Sequence, residues 1–109
     1  EKPHPRLWGT FPRILGHYAR DLGLFSLEEG VRKMTSLSAS EFGLVDRGEI
    51  AEGKFADICV FDPETVKDLS TFEAGATPAA GIAHVFVNGR EVWNTDGATG
   101  NRPGRALRA

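Results

Sequence analysis

The dipeptide Asn88-Gly89 lies between two apolar runs, Ile82–Val87 and Arg90–Trp93. This arrangement predicts a hairpin, because a two-residue I′ turn needs positive φ at both central positions, and Asn-Gly reaches it at least cost. A third strand is expected over Ala56–Phe61, a nearly continuous apolar run ended by Asp62-Pro63. Three short strands form an open sheet with unpaired edges and one bare face, a poor domain by itself.

Upstream of residue 45 the pattern is helical. Phe11, Ile14, Leu15, Tyr18 and Leu22 recur at three- and four-residue steps, which predicts a helix from Thr10 to about Asp21. Thr10 is its candidate N-cap, Pro12 falls in the first turn, and Gly23 stops it. Ser26-Leu27-Glu28-Glu29 fits a capping box, opening a second helix to about Thr35 that buries Leu27, Val31 and Met34. A short turn around Ala39–Phe42 ends at Gly43. Residues 1–9 read as a stiff extended loop, since Lys2 and His4 each precede a proline and are pushed from helical geometry. That arm would present Arg6, Leu7 and Trp8. Residues 63–80 read as a long surface loop and residues 95–109 as a flexible Gly/Arg-rich tail. Two parts follow: 1–44, helical, and 45–109, β-rich.

The 109 residues are 40% hydrophobic and 26% charged, which indicates neither wholesale disorder nor a membrane span. A formal charge of −2 argues against a nucleic-acid or anionic-membrane partner. The charge is partitioned into basic ends and an acidic middle, as for faces that met other protein. With a start at Glu1, this reads as a piece of a longer chain. A single cysteine excludes an internal disulfide framework and points to a cytoplasmic setting. Ile58-Cys59-Val60-Phe61, the longest apolar run, is too short for a signal sequence or spanning helix.

His4, His17 and His84 share no metal-ligand spacing and read as surface or hydrogen-bonded histidines. Asp46, Asp57 and Asp62 offer carboxylates, but capping and turn formation account for Asp57 and Asp62 on either side of the strand. Cys59, mid-strand among apolar neighbours, reads as a small buried thiol. Gly97, Gly100 and Gly104 resemble a phosphate loop only loosely. Arg6 on its proline-stiffened arm has two readings: a surface salt bridge, or a two-point contact to a carboxylate.

Read together, HPRLWGTFPRILGHYARDLGLFSLEEGVRKMTSLSASEFGLVDRGEIAEGKFADICVFDPETV resembles the C-terminal part of the D-aminoacylase (N-acyl-D-amino-acid deacylase) family of the amidohydrolase superfamily. The likeness continues through Val85-Phe86-Val87-Asn88-Gly89 and Thr99-Gly100-Asn101-Arg102-Pro103-Gly104-Arg105. The stretch from Gly48, G-x-I-x-x-G-x-x-A-D-I-x-V-F-D, is shared by many amidohydrolases, whereas His4–Gly16 is particular to the deacylase branch. Ser38-Ala39 departs from the family's usual Pro-Ala, at a helix cap.

The resemblance implies a parent enzyme with a (β/α)8 barrel and a small β-sandwich, using zinc to hydrolyse N-acyl-D-amino acids. It places the metal ligands and catalytic Asp before this segment, so the segment alone would bind no metal and be inactive. This chain would then be an α+β fragment: outer helices following strand eight of the barrel, then the C-terminal strands of the sandwich. The resemblance gives Arg6 the substrate's α-carboxylate. The implied partners are the rest of the parent chain and the small-molecule substrate, with self-association of the isolated segment. Two alternatives stand beside it: a dihydropyrimidinase- or dihydroorotase-like branch, or a non-catalytic assembly module.

Overall fold

The computed structural model describes His4 and residues 6–107, the side chains of Arg6, Leu7 and Trp8 excepted. In chain order the elements are α1 (Arg6–Arg13), a π-helix (Ile14–Asp21), α2 (Leu27–Met34), α3 (Ser36–Glu41), β1 (Ile58–Phe61), β2 (Ile82–Val87), β3 (Arg90–Asn94) and β4 (Gly97–Ala98). They belong to two compact units. One draws on Glu1–Val31 and Phe61–Gly81, the other on Arg32–Val60 and Ile82–Ala109.

In the first unit, helix begins at Arg6, four residues before the expected start, so Arg6–Gly9 is helical and not extended arm. The proline restriction acts on the residue before each proline and leaves Arg6 free to open a helix. Pro12 therefore falls inside α1, where it removes an i→i−4 hydrogen bond. Two residues later the helix widens to π geometry, with the Leu22 amide donating to the His17 carbonyl at 2.9 Å. Gly23, at φ +63°, ends it as expected. The Ser26 hydroxyl accepts the Glu29 amide at 3.1 Å, the N-capping half of the expected box. Leu27, Val31 and Met34 are half-buried rather than buried.

Residues 63–80 are more organised than a plain surface loop. Lys67 and Ala80 pair in both directions, amide to carbonyl, at 3.1 and 3.0 Å, closing the loop at its base. Above that base Asp68 accepts the Ser70 amide (2.7 Å), and Thr71 and Ala74 bond to each other. The base is fixed to the π-helix. Val66 is fully buried, and Arg20 donates to the carbonyls of Val66 (2.8 Å) and Pro63 (3.2 Å). A Cβ at Gly16 would stand 2.3 Å from the Val66 carbonyl oxygen, so only glycine permits this approach.

The second unit is organised around the sheet, in the order β1-β2-β3-β4. β2 and β3 pair antiparallel with Val87 opposite Arg90, and a bulge falls between Val85 and Phe86. Asn88 (φ 50°) and Gly89 (φ 78°) both take positive φ, as an I′ turn requires. The segment expected to be a flexible tail instead supplies β4, with Asn94 opposite Gly97. The side chains of Thr99 and Asn101 both donate to the Glu91 carbonyl, at 2.7 and 2.9 Å. Ser and Thr hydroxyls and Asn amides of this kind are invisible to periodicity arguments.

Candidate functional site

The first unit carries a cleft of about 420 Å³ lined by His4, Thr10, Arg13, Ile14, Tyr18, Asp68, Ser70, Thr71 and Phe72. One wall is α1 and the π-helix, and the other is the 67–80 loop. Thr10, Ile14 and Tyr18 recur every four residues and so share a helical face. Arg13 lies over the Tyr18 ring, 5.5 Å from its centroid, a cation–π arrangement at the cleft edge. The His4 and Phe72 rings meet edge to face, centroids 5.3 Å apart at 84°. Asp68 sits directly on Gly9, where a Cβ would come within 1.8 Å of its Oδ1. Arg6, one helical turn before Thr10, stands between these two contacts in the chain; its side chain lies outside the described ones. Pro5, part of the expected stiff arm, is also outside the described residues.

A second polar cluster lies in the other unit. Arg47 is buried, forms an ion pair with Asp57, and stacks its guanidinium on Phe55 at 4.2 Å. The other Asp57 oxygen accepts the Asn88 amide at 2.8 Å, and the Ala56 carbonyl accepts the Gly89 amide at 2.9 Å. Burial alone would raise the Asp57 carboxyl, but the Asn88 amide and Arg47 outweigh it and hold its pKa below the ordinary value. Asp57 is therefore a structural ligand of the hairpin tip, thirty-one residues on, and not the local cap expected from its position ahead of β1. Asp62 has the expected turn role, with its Oδ1 accepting the Glu64 amide at 2.9 Å. Sequence reasoning missed Asp68 and Phe72, which act on residues some sixty positions away, and Arg47, whose partners Phe55 and Asp57 are near in sequence but follow no local motif.

Cys59 is exposed, not buried, since its strand presents both Cys59 and Val60 outward. Partial desolvation pushes its thiol pKa up, so it is not poised as a nucleophile. His84 pairs with Glu91 at 3.0 Å across β2 and β3, which lowers the Glu91 pKa. His17 meets Tyr18 edge to face. Among the described residues, no three His, Cys, Asp or Glu side chains assemble into a group that could hold a metal. The donor set a zinc site requires is not found among them. None of the described helices is long and apolar enough to cross a membrane.

The described chain thus sets helices ahead of a small antiparallel sheet, with a cleft beside the first helix. The Amidohydrolase family profile matches residues 2–93, and the chain belongs to that family. Within it, the likeness is to the N-acyl-D-amino-acid deacylases. A D-aminoacylase from Alcaligenes xylosoxydans xylosoxydans is 61% identical over 107 residues, covering 98% of this chain and 22% of that protein. A D-aminoacylase variant solved with copper chloride superposes with a TM-score of 0.97 at 58% identity, covering 100% of this chain and 23% of its own. An N-acyl-D-glutamate deacylase from Bordetella bronchiseptica, solved with zinc and a phosphonate mimic of the tetrahedral intermediate, gives 0.92 at 47% identity, covering 99% and 23%. The chain thus spans about a fifth of the length of the relatives it matches.

Proposed function

We propose that this chain is the C-terminal portion of a zinc-dependent enzyme that cleaves N-acyl-D-amino acids to a D-amino acid and a carboxylate. Its helices would be the outer helices after the eighth strand of a (β/α)8 barrel, and its strands one share of the small β-sandwich. The observation that carries the reading is the superposition of every part of the chain on D-aminoacylase at 58% identity. The described residues offer no zinc site, so the metal ligands and the proton-transferring base would come from the rest of the parent chain. Alone, this segment would be inactive.

What the segment would contribute is substrate orientation through Arg6. An N-acyl-amino acid carries one permanent negative charge, beside the scissile amide. A guanidinium that grips the carboxylate at two points fixes where the amide lies, so it acts on orientation as well as affinity. The position of Arg6 in the first turn of α1, between two tethered residues, supports this role.

In the full-length enzyme, Arg6→Ala should cost about 2–5 kcal/mol in kcat/KM, as when one member of a buried charge pair is truncated. Arg6→Lys keeps the charge but not the fork, and should remain impaired. Both losses should shrink for a substrate whose carboxylate is replaced by a carboxamide. Equal losses on the two substrates would show that Arg6 supports the helix start instead of reading the carboxylate.

A further inference from the structure

We propose that Phe72 and Asp68 are positioning residues for Arg6, setting the carboxylate grip from a loop more than sixty residues away in sequence. The inference rests on the Arg6 reading above and adds to it the element that holds the arginine in place.

Three observations carry it. The Phe72 ring is placed edge-on against His4, centroids 5.3 Å apart, and so holds the chain two residues before Arg6. The Asp68 carboxylate occupies the space over Gly9, so a side chain at Gly9 would displace it. Arg6 lies between His4 and Gly9, so one loop tethers the chain both before and after it. The loop itself is able to act as a fixed support. Its base is closed by the Lys67–Ala80 pair and anchored at fully buried Val66, and its rim is braced by the Asp68–Ser70 and Thr71–Ala74 bonds. A functional side chain is only as well placed as the shell that holds its backbone, and an ångström of slack can outweigh a lost contact.

The test is Phe72→Ala in the full-length enzyme, assayed on an N-acyl-D-amino acid and on its carboxamide analogue, beside Arg6→Ala and the double variant. The expected loss in kcat/KM is about tenfold on the acid, mostly in KM, and under about twofold on the amide. The double variant should be no worse than Arg6→Ala, because both changes act through one contact. Phe72→Tyr keeps the ring edge and should restore the parent value, whereas Phe72→Leu keeps bulk alone and should not. If Phe72→Ala does not fold, the Leu and Tyr pair decides the matter. Equal losses on acid and amide, or additivity with Arg6→Ala, would overturn the positioning role while leaving the arginine reading intact. If Arg6→Ala itself fails to distinguish acid from amide, the arginine reading falls, and the positioning role falls with it.

Discussion

Arg47 is a buried cation without a sequence motif that nonetheless ties together Phe55 and Asp57. Buried, with one face on Phe55 and its Nη1 on Asp57, it exchanges water for a charge-assisted contact and a ring. Removing it leaves a carboxylate that is two-thirds covered with only the Asn88 amide as partner. We expect Arg47→Ala to lose about 2 kcal/mol at pH 7, within the usual range for a hydrogen bond to a charged group. The loss should depend on pH in a defined sense. Because the folded-state pKa of Asp57 is lowered, its contribution is complete above the ordinary aspartate value and fades as pH falls below about 4. Urea midpoints of parent and variant should therefore converge towards pH 3. A gap unchanged between pH 7 and pH 3 would show that Arg47 acts by packing alone.

At the scale of elements, what could be read in advance was what rests on short-range geometry. Asn88-Gly89 announced its turn because few residues tolerate positive φ, and Ser26 with Glu29 announced a helix start because the cap spans only three residues. The π-helix was illegible, since Ile14, Leu15 and Tyr18 give the same apolar stripe at either pitch. β4 was illegible too, being two residues long and fastened by side chains. At the candidate site, Arg6 stood out for its proline neighbours, but the loop that tethers the chain around it carries no signal of its own.

Two glycines test these elements in opposite ways. At Gly89 a Cβ would meet nothing within 4 Å, so Gly89→Val tests φ strain alone and should cost about 1–3 kcal/mol. At Gly16 the Cβ would strike the Val66 carbonyl, so Gly16→Ala should also cost about 1–3 kcal/mol, by overpacking. Chemical denaturation reads both. An unshifted midpoint for Gly89→Val would remove the I′ assignment, and one for Gly16→Ala would detach the π-helix from the loop base.

For the molecule as a whole, the balance between buried and exposed apolar residues is unusual. The described hydrophobic core is Leu15, Ala19, Ala39 and Val66, while Phe11, Phe42, Val45, Ile50 and Phe72 are all more than half exposed. A core this small leaves most of the large apolar side chains to be covered by something else. Together with a span of about a fifth of its relatives, they support the proposal that other parts of a parent chain cover these faces. The isolated chain should consequently self-associate, and light scattering that shows a concentration-independent monomer would count against this. It should also retain no stoichiometric zinc after dialysis. Elemental analysis finding one zinc per chain would contradict the assignment of the ligands to the remainder of the parent.

The closed base of the 67–80 loop has an evolutionary corollary. Since Lys67 and Ala80 are already held together, a change of loop length acts above that base, at a closure cost that grows logarithmically. Insertion and deletion could thus remodel the rim of this cleft while the Lys67–Ala80 base stays closed.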